Sequence, residues 1–196
     1  MIISNSYSSA TPMFAYADTS FCDMKGHYSI VLYFTGCNLE CPYCFNYDVC
    51  KGIPILSPND IKTKFNELFT LFPNLGVVFS GGEPMFNIKK FLTAYAHFNN
   101  SQRKIGIHTN GLKVPANSLY FDAVIIGIKS RLEIPTEYCF YQEKIKEACI
   151  YYQHAEKKEL RMVDLPQSRK DYKDTINFLT EHGVLSGWEI NYVEPQ

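Results

Sequence analysis

Short apolar runs alternate with amphipathic segments along this 196-residue chain. Residues 28–36, YSIVLYFTG, are dense in β-branched and aromatic side chains and predict a buried strand. Runs of the same kind recur at 75–80 (LGVVFS), 104–109 (KIGIHT), 123–128 (AVIIGI), 160–165 (LRMVDL) and 188–193 (WEINYV). Short apolar runs bounded by turn residues are expected where both faces of a parallel sheet are covered. The stretches between them carry helical periodicity. Ile61, Phe65, Leu68, Phe69 and Phe72 share one helix face, with Ser57 as N-cap, Pro58 at the first helical position and Asp60 in the first turn. Ile88, Phe91, Leu92 and Tyr95 mark a second helix that Asn87 can cap. A third is expected within 137–153, and a fourth over 171–182 with Gly183 as its stop.

Strand and helix alternate up to about six strands, which predicts an α/β fold of parallel strands joined by crossovers. Six βα units are too few for a closed eight-stranded barrel. The expectation is an open, partial (β/α)6 barrel or a curved sheet, with ligands bound at the carboxyl ends of the strands. No linker, repeat or low-complexity tract divides the chain, so 1–196 is read as one domain.

Composition narrows the class of protein. Hydrophobic residues make up 46% and charged residues 20%, ordinary values for a soluble domain. No apolar stretch reaches membrane-span length, and the first residues lack a secretory pattern. With 19 basic against 20 acidic side chains, no basic surplus points to nucleic acid. The expectation is a cytoplasmic protein with neither a membrane nor a nucleic acid as partner.

The chain has seven cysteines: Cys22, Cys37, Cys41, Cys44, Cys50, Cys139 and Cys149. An odd, sparse set argues against a disulfide scaffold, and in a reducing compartment clustered thiols point to metal or redox chemistry. Cys37, Cys41 and Cys44 form C-x3-C-x2-C directly after the first predicted strand. Three thiolates on one loop can converge on one centre, and soft sulfur ligands select zinc, copper(I) or an iron–sulfur cluster. Structural zinc wants a fourth ligand, and Cys50 stands six residues past Cys44, so zinc stays open at this point. Cys22, Cys50, Cys139 and Cys149 are scattered and read as core or surface thiols.

The loop Gly36-Cys37-Asn38-Leu39-Glu40-Cys41-Pro42-Tyr43-Cys44, with an aromatic before the third cysteine, resembles the signature of radical S-adenosylmethionine (SAM) enzymes. Ser80-Gly81-Gly82-Glu83-Pro84 ends the second predicted strand and resembles the family's Gly-Gly-Glu-Pro motif. His108-Thr109-Asn110-Gly111 resembles its Asp-Thr-Asn-Gly, and Arg161 resembles an arginine on a later strand. The resemblance runs from about Asp23 to Val193 and implies a partial barrel of the radical SAM type. It also implies a [4Fe-4S] cluster on Cys37, Cys41 and Cys44, with SAM chelating the fourth iron. Tyr43, Phe45, Gly81, Gly82, Glu83, Thr109, Asn110, Lys129 and Arg161 are the implied cofactor contacts. Tyr43 and Phe45 would offer stacking surface to the adenine, and Arg161 would pair with the methionyl carboxylate. No catalytic residue is implied beyond the cluster and the cofactor.

Within the family, Asp23-Met24-Lys25-Gly26 resembles the Asp-x-Pro-Gly of glycyl-radical-enzyme activases, and Cys44-Phe45-Asn46 resembles their Cys-His-Asn. The branch it is most similar to is the small activating proteins of anaerobic ribonucleotide reductase. That likeness implies an oxidoreductase that forms a glycyl radical on a partner reductase, with flavodoxin or ferredoxin as electron donor. Two departures are visible. His108 stands where activases usually carry Asp, and Gly127-Ile128-Lys129 matches their Asp-x-Lys only at the lysine. Lys129, with His108, is therefore expected to supply positive charge in place of a monovalent cation. Two alternatives remain: a radical SAM enzyme acting on a small molecule or peptide, such as a 7-carboxy-7-deazaguanine synthase, and a zinc-stabilised binding module.

Overall fold

A computed structural model describes residues 14–44, 46–51, 58–99, 103–134 and 138–194. In chain order the elements are β1 (Phe14–Ser20), β2 (Ser29–Phe34), α1 (Tyr47–Cys50), α2 (Pro58–Leu71), β3 (Gly76–Gly81), α3 (Ile88–Asn99), β4 (Ile105–Thr109), β5 (Ala123–Gly127), α4 (Tyr138–Tyr151), β6 (Lys157–Val163), α5 (Arg169–Glu181) and β7 (Trp188–Val193). The strands form one seven-stranded sheet in sequential order. β2 to β7 run parallel, so their carboxyl ends share one rim, and the sheet curls into a half-barrel.

The six predicted strands are present, and α2 to α5 lie in the predicted gaps. Two features differ from the simple repeat. β1 adds an antiparallel edge strand, with Ser20 opposite Ser29. Between β4 and β5 the described chain forms a loop where a sixth helix would stand; it includes Pro115, whose missing N–H and fixed φ oppose a helix. Tyrosine hydroxyls bond this loop's backbone. Tyr120 N donates to Tyr95 Oη at 3.1 Å, Leu119 N donates to Tyr151 Oη at 2.9 Å, and Tyr95 Oη donates to Tyr120 O at 2.8 Å.

Helix ends follow local chemistry. Asn87 Oδ1 accepts from Lys90 N at 3.2 Å at the start of α3. Gly183, at φ +68°, turns the chain out of α5, and its N–H bonds Thr180 O at 2.9 Å. Ser57, the expected cap of α2, and the side chains of Pro58, Asp60 and Ile61 lie outside what the structure describes; Phe65, Leu68 and Phe69 pack on the core as expected.

The main core lies between the sheet and the helices. Ile30, Leu32, Val77, Phe79, Ile107 and Ile126 face Phe91, Phe98, Tyr141, Ile145 and Tyr172. Each such side chain, fully buried, contributes roughly 1.5–3 kcal/mol. A second, smaller cluster fills the concave side of the sheet: Met24 with Val31, Val78 and Ala123. Glycines make room for it. A Cβ on Gly106 would stand 3.1 Å from Met24 Cε, and one on Gly76 3.3 Å from its Sδ. Lys25 then bridges to Glu189 at 2.6 Å and Glu159 at 3.7 Å, so residues 23–25 plug the lumen. Among the described residues no helix is long and apolar enough to cross a membrane.

Met24→Ala should cost about 2–4 kcal/mol in urea unfolding through cavity formation, whereas Met24→Leu should cost under about 1.5 kcal/mol. Equal, small losses for both would mean that Met24 does not pack as a plug.

Candidate active site

Glu83 is buried at the end of β3, and its partners place the site. Its carboxylate accepts from Met85 N at 2.9 Å, Thr109 Oγ1 at 2.8 Å and Asn110 N at 2.7 Å, which ties the end of β3 to the end of β4. Its own N–H donates to Gly36 O at 2.9 Å, and Gly82 N donates to Phe34 O at 3.0 Å, which ties both to the chain leaving β2. The glycines allow this approach. A Cβ on Gly82 would lie 2.0 Å from Gly36 O, and one on Gly81 would lie 2.4 Å from Phe34 N. What the Gly-Gly pair admits closely is thus the backbone that starts the cysteine loop. Burial raises the Glu83 carboxyl above the usual carboxylate range, against the pull of its three donors.

The cysteine loop leaves β2 through Gly36, at φ +87°, whose N–H donates to Val49 O at 3.0 Å. That bond pins α1 against the loop and brings in Cys50. The sulfurs of Cys44 and Cys50 lie 3.5 Å apart, and Cys50 also hydrogen-bonds Cys37. Cys50 is therefore no scattered thiol: one turn of helix carries it to the clustered three. Its hydrogen bond draws the Cys44 thiol down to about 6 and lowers Cys37, while those same bonds hold Cys50 far above the ordinary thiol range. Cys41 is pushed up to about 11 by burial. Cys22 and Cys139 are exposed and Cys149 is buried, as expected of surface and core thiols.

These elements surround a cavity of about 240 Å³ at the carboxyl ends of the strands. Cys37, Cys41, Cys44, Tyr43, Gly81, Gly82, Thr109, Asn110, Lys129 and Arg161 all line it, so the structure gathers ten of the twelve expected residues. Glu83 is not among the lining residues, because its carboxylate is taken up by Met85, Thr109 and Asn110. Phe45 lies outside the described residues. A neighbouring space of about 520 Å³ shares Tyr43, Asn46, Ser80, His108, Arg161 and Val163 with the first.

Several hydrogen-bond partnerships at the site escape sequence reasoning. Asn38 Oδ1 accepts from Asn110 Nδ2 at 2.8 Å, which fastens the loop to β4. Asn46 Nδ2 donates to Gly81 O at 3.4 Å. His108 faces Asp23 across 85 positions, with Nδ1 3.5 Å from Asp23 Oδ1 and Nε2 3.2 Å from Asp23 O. Burial lowers the imidazole below its ordinary value despite Asp23, so the expected positive charge at His108 is not supplied. Lys129 and Arg161 are the cations lining the cavity among the described residues, and Arg161 Nε donates to Glu159 Oε1 at 2.7 Å.

Tyr43 is held from outside the loop. Its hydroxyl donates to Glu133 Oε1, while Glu133 Oε2 accepts from Ser130 N at 2.8 Å and Ser130 Oγ at 2.6 Å. Burial pushes the Glu133 carboxyl up to about 7 from 4.5. The unfolded chain ionises it near the lower value, so between the two the folded chain binds more protons and stability falls as pH rises. Relative to Glu133→Gln, the wild type should lose roughly 1–3 kcal/mol between pH 5 and pH 8 in urea unfolding. A pH-independent difference would contradict a carboxyl raised by burial.

Comparison with known proteins follows the same outline. The family model described as the radical SAM superfamily matches residues 31–188. A protein of Methanocaldococcus jannaschii, named as a candidate glycyl-radical enzyme activating enzyme, is 26% identical in an alignment of 157 residues that covers 76% of this chain. The chain spans 60% of that relative's length. Among solved structures, Streptococcus suis SuiB bound to precursor peptide SuiA is similar at TM-score 0.55 and 14% identity, over 85% of this chain and 39% of that one. SuiB bound to S-adenosylmethionine gives 0.51 and 14%, over 85% and 40%. At these identities the likeness to SuiB is one of fold. Because the family match runs from β2 to the start of β7 and takes in all three clustered cysteines, this chain belongs to the radical SAM superfamily, whose members use a [4Fe-4S] cluster and S-adenosylmethionine.

Proposed function

We propose that this chain is a glycyl-radical-enzyme activase that acts on an anaerobic ribonucleoside-triphosphate reductase and takes its electron from flavodoxin or ferredoxin. The observation that carries this reading is the likeness over 157 residues to the Methanocaldococcus jannaschii protein. The curled but open sheet supports it, since a loop of a protein substrate needs lateral access to the rim.

The donor set suits the family's cofactors. Cys37, Cys41 and Cys44 offer three soft ligands on one loop, which would hold the cluster and leave one iron for SAM. When bound, the two cofactors together supply reductive cleavage of the sulfonium and abstraction of a hydrogen atom. The chain's own residues bind and orient. Lys129 sets positive charge beside the thiol loop. Arg161, steadied on Glu159, would pair with the methionyl carboxylate, while the Gly81–Gly82 backbone, Thr109 and Asn110 would border the rest of the cofactor. Tyr43, fixed by Glu133, would present its ring to the adenine.

Anaerobic reconstitution followed by reduction with SAM present should yield 5′-deoxyadenosine, and Cys41→Ala should abolish both iron binding and product. Arg161→Ala should raise KM for SAM about 10–100-fold, the loss of one charge-assisted contact. Mixed with anaerobic ribonucleotide reductases, the loaded enzyme should give a glycyl-radical doublet in electron paramagnetic resonance. Abundant 5′-deoxyadenosine without a doublet on any glycyl-radical enzyme would overturn the activase reading.

A further inference from the structure

Cys50 takes no part in the proposed cluster chemistry, yet it is held at the cluster loop by three backbone bonds. Cys50 N donates to Asn46 O at 2.9 Å, Lys51 N to Tyr47 O at 3.0 Å, and Gly36 N to Val49 O at 3.0 Å. The first two close the turn of α1, and the third fastens that turn to the end of β2. The result is a fixed pair, Cys44 and Cys50, with sulfurs 3.5 Å apart on the wall of the cavity. A disulfide bond is about 2.0 Å long, so closing the pair needs roughly 1.5 Å of movement, within reach of side-chain rotation. Two sulfurs this close do not suit ligation of two different irons of one cubane. Cys50 is therefore placed to react with Cys44 rather than to join the cluster beside it.

We infer that Cys44 and Cys50 form a reversible disulfide in the iron-free chain, which guards a cluster ligand from overoxidation and closes the loop to iron until a dithiol reduces it. With hydrogen peroxide as oxidant, the Cys44 thiolate attacks a peroxide oxygen, giving the sulfenic acid and hydroxide. The Cys50 thiol then attacks that sulfur, forming the S–S bond and releasing water, so two electrons pass from the two thiols to one peroxide. A dithiol restores both thiols by exchange and is itself oxidised to its disulfide. Without Cys50, a second peroxide oxidises the sulfenic acid at Cys44 to the sulfinic acid and is itself reduced to water, and dithiols do not reverse that product. The block to iron rests on the ligand role proposed for Cys44, whereas the disulfide itself does not.

The test uses the chelator-washed full chain, treated with one equivalent of hydrogen peroxide, alkylated and mapped by peptide mass spectrometry. A Cys44–Cys50 cross-link should dominate and disappear with dithiothreitol. Iron uptake on anaerobic reconstitution should fall at least about tenfold in the oxidised chain and return after reduction. In Cys50→Ser, two or more equivalents of hydrogen peroxide, the first taking Cys44 to the sulfenic acid and the second to the sulfinic acid, should leave iron uptake lost even after dithiothreitol. The wild-type map needs no variant to fold, and it is read without activase activity, so it separates this inference from the choice of partner. A dominant link between Cys37 and Cys50, no link at all, or full recovery of iron uptake in Cys50→Ser would overturn it. A Cys44–Cys50 link with undiminished iron uptake would overturn the gating.

Discussion

Glu83 joins three strand ends through one residue. Its carboxylate takes hydrogen bonds from Met85, Thr109 and Asn110, and its amide reaches the Gly36 carbonyl, so the exits of β2, β3 and β4 cannot shift independently. The cysteine loop starts at Gly36, and the polar wall opposite it starts at Thr109. Their separation is therefore set by a buried carboxylate rather than by loop packing alone. Burying that group is costly, and its three donors offset the cost. The two glycines before it are part of the same device, since any side chain at Gly82 would strike the Gly36 backbone.

Around this anchor the concave side of the sheet is divided by chemistry. Its lower part is filled by Met24 and sealed by Lys25 on Glu159 and Glu189, while its upper part keeps Arg161, His108 and Lys129 around open space. Glu159 serves both halves, with Lys25 on one side and Arg161 on the other. The plug confines binding to the rim where the sulfurs lie. The neutral His108 on Asp23 closes the boundary between the halves without adding charge to the cavity.

Much of this was legible in the chain itself, for physical reasons that particular residues show. The parallel strands announce themselves because both faces are buried, as the unbroken run of apolar side chains in β2 and β3 requires. The chemical loop is legible because Cys37, Cys41 and Cys44 are close in sequence and one short loop carries all three to the cavity. β1 is not, since FAYADTS has neither a continuous apolar run nor clean alternation and forms as an edge on β2. The pairing of Cys50 with Cys44 is not legible because it depends on a single turn of helix pinned to Gly36, and that of His108 with Asp23 because the two lie 85 residues apart. Glu83 was found by its motif, but the motif carries no sign of which way the carboxylate turns.

The proposed function requires that the loop hold a cluster with one iron open to SAM. Low-temperature electron paramagnetic resonance of the reconstituted, dithionite-reduced chain tests it most directly. A reduced [4Fe-4S] signal whose g-values move when SAM is added is the predicted result. A signal that SAM leaves unchanged, or a chain that takes up zinc and no iron, would contradict it.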